Sequence, residues 1–147
     1  MINKMIFFLS LVSIFSASAF SQNEQEPWTS KQLLEPAKLA EMINGGNDKP
    51  LIIDIGPAGV IKGSVEIGAA HDKAKLDKLK ELLSSENKER LIVIYCGCCP
   101  YKNCPNVRPA FSLLNSLKFT NHWLLDLPHN LKVDWISQGY PMKDQEK

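Results

Sequence analysis

Short, continuous apolar runs recur along the chain and are separated by longer segments in which apolar residues keep helical spacing. A run of four or five apolar residues bounded by turn-forming residues is typical of a strand that is buried on both faces. The strongest run, Leu-Ile-Val-Ile-Tyr, occupies positions 91–95. The pattern predicts strands at residues 51–55, 64–67, 91–95 and 122–126.

The segments between these runs have the spacing of amphipathic helices. The first helical stretch is predicted over residues 29–45, and Pro36 predicts its division into two short helices, because proline removes a backbone donor. Further helices are predicted to begin at Asp72, Pro109 and Leu131. Strands that alternate with helices in this way predict an α/β fold, a single domain with a mostly parallel central sheet and helices on both faces.

The N-terminal segment has the pattern of a secretory signal peptide. Lys4 is followed by an apolar stretch over residues 5–15, and small residues then allow cleavage after Ala19 or after Ser21. We predict a signal peptide over residues 1–21, a flexible leader over 22–28, the folded domain over 29–143 and a polar tail over 144–147. An uncleaved N-terminal anchor is the alternative. Cleavage would give a periplasmic or secreted protein without stable membrane anchoring, in a compartment where thiols meet oxidising chemistry.

The near-zero net charge argues against large anionic binding partners. Lysine and arginine total 17 residues against 16 acidic residues, a formal net charge of +1. This balance offers no electrostatic footprint for nucleic acid or for an anionic membrane surface. Arg90 and Arg108 are the only arginines in the sequence, so few side chains are able to bind an oxyanion in a bidentate manner.

All four cysteines lie in one segment that follows the strongest predicted strand: Cys96, Cys98, Cys99 and Cys104. Ligands collect beyond the carboxyl ends of parallel strands, so this segment, with Asp54 at the end of another strand, is the predicted site. The segment is rich in glycine, proline and asparagine, which disfavours the interpretation of these cysteines as small core residues. Clustered thiols at such a position indicate thiol chemistry or soft-metal binding.

Tyr95-Cys96 at the end of a buried strand, followed by a loop and a helix, resembles the active-site element of rhodanese-like domains. Three other segments resemble parts of that family in the same order: 51–56 its strand ending in Asp-Val-Arg, 60–67 its Gly-His-Ile-Pro-Gly-Ala-Ile-Asn segment, and 134–141 its closing Ala-Trp-x-x-x-Gly-Tyr-Pro. The resemblance covers roughly residues 29 to 143. It implies the rhodanese-like fold and sulfur transfer from a small sulfur donor to a thiol acceptor, with Cys96 carrying a persulfide.

The chain departs from the family's pattern in the loop around this cysteine. A usual member carries an arginine soon after the nucleophile, whereas here Gly97 follows Cys96 and the next arginine is Arg108. The cysteine-rich insert resembles that of a subgroup of exported rhodanese-like proteins. Arg108 and Lys102 are therefore candidates for binding the oxyanion end of a sulfur donor, and Asp54 is a candidate for accepting backbone amides of the loop.

Three mechanisms are open for the cysteine segment. In sulfur transfer, the Cys96 thiolate attacks a sulfane sulfur and holds it as a persulfide. In thiol–disulfide exchange, Cys98 or Cys104 resolves the species formed on Cys96. In soft-metal binding, thiolates drawn from all four cysteines, Cys99 included, hold Cu(I) or Zn(II), although the spacing matches no familiar structural zinc pattern. We predict sulfur transfer, with no resident cofactor.

The three histidines are weaker candidates. His71 follows a predicted strand, where it could act as a base or ligand, yet Asp72 beside it favours a role at the start of a helix. His122 and His129 are predicted to occupy surface or packing positions.

Overall fold

Two central strands, β2 (Leu51–Asp54) and β4 (Ile92–Tyr95), pair in parallel along their whole length. This computed structural model describes residues 25–46, 49–57 and 59–144, so the predicted signal peptide lies outside the described residues. Three further strands flank the central pair: β1 (Leu33–Leu34), β3 (Val65–Glu66) and β5 (His122–Leu125). The sheet has the order β1-β5-β4-β2-β3 and is parallel throughout, which confirms the predicted α/β architecture.

Helices cover the sheet on both faces, and alternate strand residues point to opposite sides, so each strand contributes side chains to both layers. Ile92 and Ile94 join one apolar cluster, whereas Val93 and Tyr95 join another. Residues of α2 (Lys73–Ser84) and α3 (Val107–Ser116) complete the first cluster, and residues of α1 (Pro36–Gly45) and α4 (Leu131–Asp134) complete the second. Among the described residues, no helix has the length and apolar character that a membrane crossing requires.

Polar side chains and a glycine mark the ends of several helices. Asp72 caps α2 by accepting a hydrogen bond from the Ala74 N–H at 2.8 Å, in line with the predicted helix start. Asn130 caps α4 in the same way through the Val133 N–H at 3.0 Å. Gly139 ends the last helical segment with a φ of 71°, a conformation that favours glycine.

The structure differs from the sequence prediction at three places in its helices. Leu33–Leu34 form the edge strand β1 rather than part of a helix, because their backbone pairs with β5. Two short helices do form on either side of this division, the 3-10 helix Ser30–Gln32 and α1, but Pro36 is the first residue of α1, where its missing N–H costs no hydrogen bond. The predicted last helix is interrupted at Trp135, where α4 gives way to a 3-10 helix, Ile136–Gln138.

The boundary of the domain also differs from the prediction. Trp28, placed by the sequence pattern in the flexible leader, is only 8% exposed, and its ring meets those of Tyr101 and Phe111 edge on. Glu26 pairs with Arg108 at 2.8 Å. Residues 26–28 therefore belong to the folded domain, because a buried tryptophan anchors them to its core.

Candidate functional site

Cys96 directly follows the carboxyl end of β4, where neighbouring segments of the chain pack closely around its sulfur. Cys96 is 2% exposed, and strand pairing continues up to it because the Ile55 N–H donates to the Tyr95 carbonyl at 3.0 Å. The chain turns after β2 at Gly56, where an added Cβ would lie 2.7 Å from Cys96 Sγ. The absence of a side chain at position 56 is what allows this turn to approach the sulfur so closely.

Backbone contacts hold the cysteine loop, residues 96–104, against the segment that follows β5. The Leu131 N–H donates to the Gly97 carbonyl at 3.1 Å, and the Tyr101 N–H donates to the Leu127 carbonyl at 3.2 Å. An added Cβ at Gly97 would lie 2.8 Å from Leu131 Cβ, so any larger residue there would press on α4. A short 3-10 helix, Tyr101–Asn103, then leads the loop towards α3. The loop is thereby fixed at both of its ends.

The structure brings the predicted thiols together as one group of sulfur atoms. Cys96 Sγ lies 3.4 Å from Cys98 Sγ, which in turn lies 3.3 Å from Cys99 Sγ. The sulfurs of Cys96, Cys98 and Cys104 all lie within 4.8 Å of one another. No disulfide joins the four cysteines in the structure, where Cys96 and Cys104 are buried, Cys99 is partly buried and Cys98 is exposed.

Asn106 connects Cys96 to His71 through its side-chain amide. Its Nδ2–H donates to Cys96 Sγ at 3.4 Å, while its Oδ1 accepts from the His71 backbone N–H at 3.0 Å and from His71 Nδ1 at 2.7 Å. A backbone N–H is always a donor, so this contact orients the amide oxygen towards His71 and the amide nitrogen towards the sulfur. The sequence pattern does not single out this side chain, whose only local signal is its position directly before α3.

The surroundings of Cys96 favour its thiolate. The pKa of the Cys96 thiol is lowered to about 5, chiefly by the hydrogen bond from the Cys104 thiol and further by the Cys98 backbone N–H and the Asn106 amide, while burial opposes them. Burial and the neighbouring sulfurs raise the pKa of Cys98 to about 12. The hydrogen bond to Cys96 likewise raises the pKa of Cys104 above its usual range. The site is therefore one thiolate on Cys96 with thiol donors around it.

Asp54, at the end of β2, lies beside the same turn and is 1% exposed. Its Oδ1 accepts the Gly56 N–H at 3.0 Å, so it holds the β2 turn, and the amide it accepts is not one from the cysteine loop. Burial raises the pKa of Asp54 to about 6, against the lowering effect of the Gly56 hydrogen bond and with a smaller rise caused by the charge on Cys96. The carboxyl group thus carries its proton up to a higher pH than an exposed aspartate.

Replacing Asp54 by asparagine is expected to change how stability depends on pH. Because folding raises this pKa from 3.8 to about 6, the folded state binds the proton more tightly, and wild-type stability falls as the pH rises through that interval. Asparagine keeps an oxygen for the Gly56 N–H and carries no charge. Relative to wild type, the free energy of unfolding of Asp54→Asn should rise by about 2 to 3 kcal/mol between about pH 3.5 and about pH 7.5, measured with urea. A difference that is constant with pH would contradict this ionisation.

Asn106→Ala is expected to raise the pH at which Cys96 becomes reactive. The substitution removes a donor to the thiolate, and a hydrogen bond to a charged group contributes about 1.5 kcal/mol or more, which corresponds to about one pH unit. Alkylation of Cys96 by iodoacetamide, followed by peptide mass spectrometry, should have its midpoint near pH 5 in the wild type. The midpoint in the variant should lie about one unit higher.

His71→Ala is the matched control for this change, since it leaves the Asn106 Nδ2–H donor in place and removes only one partner of the amide oxygen. Its midpoint should move less than that of Asn106→Ala. Identical alkylation profiles in the wild type and Asn106→Ala would show that the amide does not stabilise the thiolate.

The two cations predicted to bind a donor lie in different settings. Arg108 donates from Nη1 to the Lys102 carbonyl at 2.9 Å and from Nη2 to Glu26 at 2.8 Å, and its guanidinium lies 5.6 Å from the Trp28 ring centroid. These contacts tie the N-terminal segment to the cysteine loop and engage both terminal nitrogens. Lys102 is exposed, with Nζ 5.9 Å from the centroid of the Tyr101 ring. Lys102 is therefore the more accessible of the two cations.

Three of the sulfurs are close enough together to bind one soft ion. The Sγ atoms of Cys96, Cys98 and Cys104, within 4.8 Å of one another, form a donor set of the kind that suits Cu(I) or Zn(II). Cys99 Sγ, next to Cys98 Sγ, could supply a fourth thiolate. The same sulfurs thus fit both persulfide chemistry and soft-metal binding.

Comparison with known proteins identifies the fold. The structure is similar to the crystal structure of the Alr3790 protein from Anabaena sp., with 20% sequence identity and a TM-score of 0.55 over 75% of this chain and 90% of that one. It is also similar to the thiosulfate sulfurtransferase from Pseudomonas aeruginosa, with 14% identity and a TM-score of 0.54 over 78% of this chain. The aligned part makes up only 20% of that sulfurtransferase. No protein-family model and no curated protein matches the chain. The two structural matches confirm the rhodanese-like α/β fold.

Proposed function

We propose that this chain is a sulfurtransferase-type sulfur carrier that forms a persulfide on Cys96. The observation that carries the proposal is the set of donors around Cys96 Sγ, namely the Cys104 thiol, the Cys98 backbone N–H and the Asn106 amide. Together they stabilise a thiolate at the carboxyl end of β4, and the thiolate is the form of cysteine that attacks sulfur. The fold supports the proposal, since one structural neighbour is a thiosulfate sulfurtransferase.

In the loading step, the Cys96 thiolate attacks the sulfane sulfur of a donor such as thiosulfate. A bond forms between Cys96 Sγ and that sulfur while the sulfur–sulfur bond of the donor breaks, and sulfite leaves with the bonding electrons. In the discharge step, an acceptor thiolate attacks the outer sulfur, keeps it as a persulfide and releases the Cys96 thiolate. Each step exchanges one sulfur–sulfur bond for another, so no external oxidant is required.

The contacts that stabilise the thiolate serve both steps. A thiol of low pKa is ionised before it attacks, and it leaves readily when an acceptor takes the outer sulfur. The exposed Lys102 ammonium is the proposed first contact for the oxyanion end of a donor, because the guanidinium of Arg108 is engaged with Glu26. The acceptor is proposed to be a thiol.

Mixing reduced protein with thiosulfate tests the proposal. We expect a burst of one equivalent of sulfite per chain, with the sulfane sulfur retained on the protein until cyanide releases it as thiocyanate. Protein first alkylated at about pH 6, where Cys96 is the ionised thiol, is the control and should give no burst. A reduced protein that gains no sulfane sulfur from either thiosulfate or polysulfide would contradict the proposal.

The cluster of three sulfurs favours a second candidate function, the binding of Cu(I) or Zn(II) by Cys96, Cys98 and Cys104. The 3.4 Å contact between Cys96 Sγ and Cys98 Sγ equally suits thiol–disulfide exchange. Metal content, free-thiol count and non-reducing peptide maps of protein from the exported fraction separate these functions. Four free thiols without bound metal would contradict both alternatives. A tightly bound ion, or a disulfide joining Cys104 to Cys96 or Cys98, would instead replace the sulfur-carrier proposal.

We also propose that the protein acts in the periplasm or outside the cell. The support is the signal-peptide pattern of residues 1–21. The intact mass of the exported protein should correspond to a chain that begins at Phe20 or Gln22. Recovery of an unprocessed, membrane-bound chain that begins at Met1 would overturn this localisation.

A further inference from the structure

The cysteine loop places an exposed sulfur in contact with the buried one. Cys96 is 2% exposed, whereas Cys98 is exposed and its Sγ lies 3.4 Å from Cys96 Sγ. Gly56 and the Asn106 side chain also lie close to the Cys96 sulfur. A small anion enters so confined a position more easily than a bulky thiol does. Sulfur delivery to a large acceptor therefore calls for an intermediate that the acceptor is able to reach.

We propose that Cys98 relays the sulfane sulfur from Cys96 to the acceptor thiol, an inference that rests on the proposed persulfide chemistry. The Cys98 thiol first passes its proton to the outer sulfur of the Cys96 persulfide, and the resulting Cys98 thiolate attacks that sulfur. A bond to Cys98 Sγ forms, the bond to Cys96 Sγ breaks and Cys96 leaves as a thiolate, which gives a neutral persulfide on Cys98. No oxidant or reductant takes part, because one sulfur–sulfur bond replaces another.

The geometry of the loop suits this transfer. The two sulfurs are already in contact at 3.4 Å, and the residue between them, Gly97, is held by the hydrogen bond from Leu131 at 3.1 Å. The other two thiols are less suited to pass the sulfur to an external acceptor, because Cys104 is buried and Cys99 is only partly exposed. Cys98 is thus the thiol that combines contact with Cys96 and access to solvent.

A single-turnover experiment with two acceptors tests the relay. Protein loaded with one equivalent of sulfane sulfur is mixed with cyanide, a small acceptor, or with reduced glutathione, a bulky thiol. Cys98→Ser should still load on Cys96 and discharge to cyanide, and its cyanide rate measures the cost of losing the thiol contact with Cys96. The ratio of its glutathione rate to its cyanide rate should fall by about tenfold or more relative to wild type. Cys99→Ser is the matched control and should keep both rates within about twofold.

The outcomes separate the relay from the proposed function. Equal ratios of the two rates in the wild type and Cys98→Ser, with loading on Cys96 intact, would overturn the relay alone. Failure of Cys96 to load in all three proteins, the wild type included, would overturn both the relay and the proposed function. Release of sulfide together with a disulfide between Cys96 and Cys98 would mean that Cys98 attacks the inner sulfur, and this result would also overturn the relay.

Discussion

Gly56→Ala is expected to slow persulfide loading on Cys96 by about tenfold or more and to lower the free energy of unfolding by about 1 to 3 kcal/mol. An added Cβ would lie 2.7 Å from Cys96 Sγ and 3.4 Å from Cys96 Cα, so the sulfur or the strand must move. Either movement weakens the hydrogen bonds from Asn106 and from the Cys98 N–H that stabilise the thiolate. A loss of about 1.4 kcal/mol of transition-state stabilisation already corresponds to a tenfold change in rate.

Gly45→Ala is the matched control, because a Cβ at that position meets no atom within 4 Å. The sulfite burst with thiosulfate and the urea unfolding curve should be measured for both variants. Gly45→Ala should leave the burst rate unchanged. If Gly56→Ala loaded sulfur as fast as this control, the close approach of the β2 turn to the sulfur would have no part in the chemistry.

The position of Cys96 could be predicted because it depends on a local pattern. An uninterrupted apolar run at residues 91–95 predicts a strand buried on both faces, and every residue of β4 is buried. In a parallel sheet the carboxyl ends of the strands form the edge where ligands bind, so the cysteine that follows β4 falls there. The clustering of the four thiols follows from their spacing in one loop.

Contacts between distant parts of the chain could not be predicted in this way. His71 and Asn106 are 35 positions apart, and Glu26 and Arg108 are 82 positions apart. No local sequence pattern indicates such a contact, because the contact depends on how the helices pack on the sheet. The sequence therefore does not predict the side-chain role of Asn106, and it indicates only donor binding for Arg108.

The edge elements of the fold differ from the prediction for a related reason. Leu33–Leu34 fit the spacing of a helix, but two residues carry little intrinsic preference, and pairing with β5 decides their conformation. Trp28 follows a polar segment that resembles a leader, yet its ring finds partners in Tyr101 and Phe111. In both cases tertiary packing overrides the local sequence pattern.

Cys96→Ser is expected to abolish persulfide formation. A serine hydroxyl is not ionised by these contacts and forms no persulfide, and burial, the largest cause of the raised pKa of Cys98, persists in the variant. The sulfite burst should disappear from this variant. Cys99→Ser is the control, because it removes a thiol from the same loop and should keep most of the burst. A full burst from Cys96→Ser would assign the nucleophile to another cysteine.

Peptide mass spectrometry of protein briefly exposed to limiting thiosulfate or polysulfide tests the role of Cys96 most directly. Trypsin cuts after Arg90 and Lys102, so Cys104 falls in a different peptide from the other three cysteines. We predict a gain of about 32 Da in the peptide over residues 91–102, with fragment ions placing the earliest sulfur on Cys96, and no gain in Cys96→Ser. Sulfur spread equally over all four thiols from the start, or retained in Cys96→Ser, would contradict the assignment of Cys96 as the sulfur carrier.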